Sequence, residues 1–133
     1  MEFRRYLAGL GLGIAEAMDT VQRGMGLDWL EALELIRWTR AELPDALVAN
    51  GCGTDHLPPG LYSVDQVRAA YLEQVEAIQS LGGRIILMAS RALVKAARGP
   101  EDYVRVYSDV LAACDQPVIL HRLGEMFDPA LAG

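Results

Sequence analysis

Four short apolar runs, separated by amphipathic segments of helical length, constrain what this chain can fold into. They cover residues 12–18, 46–52, 84–89 and 117–121, and each is bounded by glycine, proline or charge. Short apolar runs without strict alternation are typical of strands that are buried on both faces, as in a parallel sheet. The alternation of such strands with helices therefore predicts an α/β fold with parallel strands.

The segments between the runs carry signals for the start of a helix. DWLE at residue 28 and SVDQ at residue 63 fit the capping box, and the third segment begins with Gly99 and Pro100. Apolar residues at helical spacing follow each start, so each helix is expected to turn one stripe toward the sheet. These residues are Leu30, Leu33 and Ile36; Val67, Tyr71, Val75 and Ile78; and Tyr103, Val106, Tyr107 and Val110. Trp29 and Trp38 are expected to be helix-packing residues as well.

Composition narrows the class of protein and its partners. The chain has 133 residues, 52% of them hydrophobic, with a formal net charge of −6 and a pI near 4.8. This composition predicts one soluble domain, and the single lysine, Lys95, leaves no basic track for nucleic acid or an anionic membrane. No apolar run reaches the roughly 20 residues of a membrane span. Cys52 and Cys114 lack a CxxC pattern, so reduced cysteines in a cytoplasmic protein are expected.

The length and the order of elements together predict part of a barrel. There is no GxGxxG and no GxxxxGK[ST], so dinucleotide and P-loop sites are not indicated, and no cofactor is expected. A closed (β/α)8 barrel takes about 250 residues, roughly twice this length. Residues 1–133 are therefore interpreted as one partial (β/α)8 domain with about four parallel strands, truncated at both ends. Its open sheet edges predict a homo-oligomer.

Reactive side chains follow each predicted strand. In parallel α/β folds the carboxyl ends of the strands meet at one rim, so these side chains are expected to converge there. The candidates are Glu16 and Asp19, then Asp55 and His56, then Ser90 and Arg91, and finally His121 and Glu125.

Each candidate also has a structural interpretation. Glu16 is costly to bury unless it faces the rim or pairs with an arginine such as Arg23. Asp19 can accept backbone N–H bonds in a turn, and the adjacent Asp55 and His56 can simply cap their loop. Arg91 can form a bidentate contact with a carboxylate or phosphate, or a surface ion pair with Glu101 or Asp102. His121 and Glu125 can act as acid, base or metal ligand. For Lys95 a solvent-facing role is expected.

Three long segments carry a resemblance to a known family. AEAMDTVQRGMGLDW, GRIILMASRALVKAARGPEDY and PVILHRLGEMFDPALAG resemble a family of uncharacterised bacterial proteins grouped with dihydrodipicolinate synthase and N-acetylneuraminate lyase. The resemblance implies a (β/α)8 barrel whose lysine forms an imine with a keto-acid such as pyruvate. It also implies that this chain covers strands two to five, so that the imine lysine, on the sixth strand, lies outside it.

The same resemblance suggests roles for two residues. Thr20 lies where the lyases carry a Gly-Thr-Thr-Gly-Glu loop that holds the keto-acid carboxylate, beside Asp19, which would repel one. His121 replaces the tyrosine of a Tyr-Asn-x-Pro segment that relays protons, and imidazole can serve as acid or base near neutral pH.

The expected function is therefore carbon–carbon bond formation or cleavage on a keto-acid. Under this hypothesis the catalytic residues are His121, Asp19 and Glu16. The residues that bind the substrate are Thr20, Asp55, His56, Ser90, Arg91 and Glu125. A first alternative is a divalent metal that polarises a sugar-like substrate for isomerisation or aldol cleavage, held by the acidic and histidine side chains. A second alternative is a half-barrel that functions only by pairing with another chain.

Overall fold

The chain folds into one four-stranded parallel sheet with helices between the strands. The computed structural model describes residues 1–19, 23, 26–122, 124–125 and 129–131. The strands are β1 (Ile14–Glu16), β2 (Val48–Cys52), β3 (Arg84–Met88) and β4 (Ile119–His121). They lie side by side in chain order, and every neighbouring pair is parallel. The prediction of a parallel α/β sheet is confirmed.

Five α-helices accompany the sheet in the described part of the chain. They are α1 (Glu2–Gly9), α2 (Trp29–Glu42), α3 (Val64–Ser80), α4 (Arg91–Ala96) and α5 (Pro100–Ala112), and a short 3-10 turn covers Pro129–Leu131. Both predicted capping boxes are present, with Asp28 capping α2 and Ser63 capping α3, and Pro100 is the first residue of α5. Each cap satisfies backbone N–H groups that the first helical turn leaves without partners, so the helices begin where the sequence indicated.

The helices α2, α3 and α5 cover one face of the sheet. The strand register places Glu16 beside Asn50, and Asn50 beside Ile85, so these three side chains share a face. Apolar side chains on that face and on the facing sides of the helices form one buried cluster. Its fully buried members include Ile36, Val67, Tyr71, Ile78, Val106 and Val110. Burial of this many apolar side chains is the main stabilising contribution to the fold.

Two predicted packing positions are wrong. The side chain of Leu30 is 71% exposed and that of Trp38 is 54% exposed. The buried face of α2 instead carries Trp29, Ala32, Ile36 and Thr39. Leu30 and Trp38 each lie only one or two residues from a member of that stripe, and each helical residue turns the side-chain direction by about 100°, so both point away from the sheet.

Two other expectations concern membrane spans and the cysteines. In the described residues no helix is both long and apolar enough to cross a membrane. Both cysteines are free, Cys52 being buried and Cys114 half-buried. Burial raises the pKa of the Cys52 thiol to about 12, so this sulfur stays protonated and unreactive at neutral pH.

Candidate functional site

A cavity of about 310 Å³ lies at the carboxyl ends of β1, β2 and β3. This rim cavity has the volume of a small-molecule site. Its polar lining comes from the segments that leave the three strands and from α4. The polar side chains are Asp19, Arg23, Thr54, Asp55, Tyr62, Ser90, Arg91 and Lys95. Four of the predicted site residues, Asp19, Asp55, Ser90 and Arg91, are thus brought together.

Two hydroxyl groups meet at the inner wall of the rim cavity. Thr54 Oγ1 and Ser90 Oγ are 2.6 Å apart, and both residues are almost fully buried. Ser90 Oγ also accepts a hydrogen bond from the backbone N–H of Leu93, which makes Ser90 the N-cap of α4. Behind this pair, the Tyr71 hydroxyl donates to the carbonyl oxygen of Met88 at 2.6 Å. The pair is therefore held in place by the bond from Ser90 to the first turn of α4.

A buried guanidinium supports the loop that follows β2. Arg23 Nε donates to Asp55 Oδ2 at 2.9 Å, and Nη1 donates to the carbonyl oxygen of Gly51 at 2.5 Å. Nη2 bonds Asp55 Oδ1 and donates to Gln74 Oε1 at 2.7 Å. The guanidinium carbon also lies 5.0 Å from the centre of the Trp29 ring, within cation–π distance. Most of the N–H groups of the Arg23 guanidinium are therefore hydrogen-bonded within the protein, although the residue also lines the rim cavity.

The ion pair sets the charge state of Asp55. Burial by itself raises the pKa of this carboxyl, but hydrogen bonds and charge from Arg23, together with a hydrogen bond from Gln74, outweigh burial and lower the pKa below its ordinary value. Asp55 is therefore ionised at neutral pH. Its position suits the anchoring of a loop better than proton transfer, for which a pKa near the working pH is favoured.

His56 lies outside the lining of the rim cavity. Its Nδ1 is 2.7 Å from Gln74 Nε2, and its Nε2 is 3.4 Å from Glu73 Oε2. The imidazole ring also lies beside the Trp29 ring, with the two ring planes at 42° and the centroids 6.2 Å apart. The neighbouring carboxylate of Asp55 is directed to Arg23, so the contact that orients the imidazole comes from Gln74.

Glu16 faces the helices instead of the rim. Its carboxylate pairs with Arg4 Nε at 2.8 Å and accepts a hydrogen bond from Thr39 Oγ1 at 2.7 Å. Of the two interpretations of this buried carboxylate, the arginine partner is the one the structure contains, with Arg4 in the place suggested for Arg23. Its second oxygen has no hydrogen-bond partner among the described residues.

The remaining candidates lie elsewhere or outside the described residues. His121 ends β4 and lines a neighbouring cavity of about 330 Å³, which shares Ala89 and Ser90 with the rim cavity. Its Nδ1 is buried and has no hydrogen-bond partner in the described part of the chain. Glu125 is exposed in the loop beyond β4. Thr20 lies outside the described residues, so its predicted role stays a prediction.

The metal alternative requires several acidic and histidine side chains close together. Within them, no group of three or more histidine, cysteine, aspartate or glutamate side chains is arranged to hold a metal ion. Two of the side chains considered for it are engaged separately, Glu16 beneath α2 and Asp55 with Arg23.

Sequence reasoning missed several polar residues of this region, among them Gln74, Thr54 and Arg23. Gln74 occupies the apolar stripe of α3 between Tyr71 and Val75, and a glutamine at such a position signals a buried amide with specific partners. Thr54 directly precedes Asp55 and could have been included with it. Arg23 was considered only as a partner of Glu16, because the segment around it shows no periodicity that would place it.

Sequence comparisons give one positive result. A family model described as a protein of unknown function (DUF993) matches residues 1–133. A search of curated proteins finds no match.

Proposed function

The chain belongs to the DUF993 family, and from the chemistry of its rim cavity we propose that it binds a small keto-acid as part of a lyase or aldolase. The observation that carries the proposal is the lining of the cavity at the strand ends. Two cationic side chains, Arg91 and Lys95, share it with the Thr54 and Ser90 hydroxyl pair. Cationic side chains can pair with a carboxylate, and a hydroxyl group can donate a hydrogen bond to the neighbouring keto oxygen.

We further propose that the sheet is strands two to five of a (β/α)8 barrel. Four parallel strands in chain order with helices on one face support this architecture. In such barrels the active site lies at the carboxyl ends of the strands, where the rim cavity is found. The imine lysine would then come from outside residues 1–133.

Within this proposal each of these residues has a separate role. Arg91 and Lys95 hold the carboxylate, and Ser90 and Thr54 position the keto oxygen. His121 moves the proton, since its cavity adjoins the rim cavity at Ser90. Asp19, whose Oδ1 is buried without a partner in the described residues, is the carboxylate available at the same rim.

Borohydride reduction in the presence of pyruvate tests the proposed chemistry on the full-length protein that contains this chain. Imine formation joins the lysine nitrogen to the keto carbon and releases water, and borohydride delivers the hydride that makes the bond permanent. Peptide mass mapping is expected to find the reduced pyruvyl group on a lysine outside residues 1–133. Absence of any adduct, or an adduct on Lys95, would contradict the proposal.

Binding can be tested separately from the chemistry. Replacing Arg91→Met removes a charge-assisted contact, so the Kd for pyruvate measured by calorimetry is expected to rise about tenfold. Arg98→Met is the matched control, because Arg98 is exposed and does not line the rim cavity. Equal affinities for all three proteins would show that pyruvate does not bind at this rim.

A further inference from the structure

The amide of Gln74 has only one orientation that satisfies its neighbours. Gln74 is fully buried on α3, behind the loop that follows β2. Its Oε1 accepts from the backbone N–H of Gly53 at 2.8 Å and from Arg23 Nη2 at 2.7 Å. A reversed amide would place an NH₂ group against these two donors, which cannot accept a hydrogen bond. The side chain is therefore fixed with its nitrogen on the opposite side.

That orientation determines the state of the neighbouring histidine. Gln74 Nε2 faces Asp55 Oδ1 at 3.2 Å and His56 Nδ1 at 2.7 Å. An amide nitrogen only donates, so His56 Nδ1 must be the acceptor and cannot carry a proton. The proton of the neutral ring is then on Nε2, which is 3.4 Å from the carboxylate of Glu73. Nε2 is buried and makes no hydrogen bond among the described residues, so the contact that selects the tautomer is the one between Gln74 and Nδ1.

We infer that Gln74 is a positioning residue that holds His56 as the neutral Nε2–H tautomer and ties the loop Gly53–His56 to α3. The inference does not depend on the identity of the substrate. It assigns His56 a role different from that of an acid or base, because the lone pair of Nδ1 is occupied and Nε2 already carries a proton. In this state the ring has one hydrogen-bond donor, Nε2–H, which is buried 3.4 Å from a carboxylate oxygen of Glu73.

The tautomer is measurable in the unmodified chain. Two-bond ¹H–¹⁵N spectra of histidine-labelled protein at neutral pH distinguish a protonated ring nitrogen from a bare one. The chain has two histidines, so His121→Gln assigns both sets of signals. The inference predicts a bare nitrogen at Nδ1 of His56 and a protonated one at Nε2. A protonated Nδ1 in the wild-type chain would overturn it, whatever the variants do.

Two substitutions test whether Gln74 is the cause. Gln74→Glu offers an acceptor, so the proton is expected to move to Nδ1 of His56. Gln74→Met removes the contact, so signals of exchanging tautomers are expected. Gln79→Glu, the same change on the same helix away from His56, serves as the control and is expected to leave the spectrum unchanged. Circular dichroism reports whether each variant is folded. A folded Gln74→Met variant that keeps the wild-type tautomer would refute the role of Gln74.

Discussion

At the scale of single residues, the ion pair between Arg23 and Asp55 anchors the loop that follows β2. The guanidinium is almost completely buried, whereas the Asp55 side chain is 29% exposed. An arginine taken out of water needs a charged partner, and removal of that partner leaves an uncompensated charge. Asp55 is therefore expected to matter for stability before it matters for catalysis.

Asp55→Asn is expected to lower the free energy of unfolding by about 3 kcal/mol, the low end for a buried pair because Asp55 is partly exposed. Urea denaturation at neutral pH measures the change. Asp45→Asn is the control, since Asp45 is an exposed aspartate between α2 and β2. A loss no larger than that of the control would show that Arg23 is stabilised without Asp55.

The same pair predicts a dependence on pH. The pKa of Asp55 in the folded chain lies below its ordinary value of 3.8, because the contribution of Arg23 outweighs burial. Such a carboxylate contributes its full stabilisation above the unfolded pKa and loses it as the pH falls through the lower, folded pKa. The difference in unfolding free energy between wild type and Asp55→Asn should therefore be constant near neutral pH and shrink only below about pH 4.

At the scale of elements, α1 is joined to the rest of the molecule by ion pairs of its two arginines. None of its residues is fully buried, and Phe3 and Tyr6 are exposed. Its polar contacts are the pairs of Arg4 with Glu16 and of Arg5 with Glu42. A helix of eight residues is not stable in isolation, so these contacts decide whether it forms.

Arg4→Met is expected to cost about 3 kcal/mol of unfolding free energy, because Glu16 would remain buried without its charge partner. Hydrogen exchange of residues 2–9 should rise at the same time. Arg5→Met is the matched control and is expected to cost less than about 1 kcal/mol, since that pair is exposed. Adding Glu16→Gln to Arg4→Met should recover part of the loss. No recovery would show that Glu16 is not the reason for the destabilisation.

At the scale of the whole molecule, the edge strand β4 exposes two consecutive apolar side chains, one on each face of the sheet. Ile119 is 56% exposed and Leu120 is 57% exposed. In the described residues β4 is paired on one side only, with β3. An exposed apolar edge strand favours pairing with another strand, and the homo-oligomer stays a prediction that this edge makes testable.

The 133-residue chain is accordingly expected to self-associate as its concentration rises, as measured by light scattering after size-exclusion chromatography. Ile119→Lys should shift the equilibrium toward monomer, because a charge on the strand opposes pairing. Leu61→Lys is the control, being a highly exposed leucine in the loop before α3. A chain that stays monomeric at all concentrations would contradict the prediction.

Much of the fold could be predicted from sequence because it is encoded locally. The capping residues Asp28 and Ser63 and the stripe of α3 act within a few positions of one another, and all three predictions were confirmed. Predictions of strand length and of helix facing were less accurate. The run at residues 12–18 yields a strand of three residues, and Leu30 was assigned to the wrong face of α2.

Local sequence patterns predict the order of elements, the parallel sheet and the presence of polar side chains at the strand ends. Hydrophobic periodicity and helix caps fix these features within short stretches of chain. Which polar side chains meet depends on how distant elements pack together. Glu16 turns toward Arg4, Asp55 toward Arg23, and Gln74 toward His56. Such pairings join residues that are 12 to 32 positions apart, and a buried charge or amide takes whichever partner the packing of distant elements brings within reach.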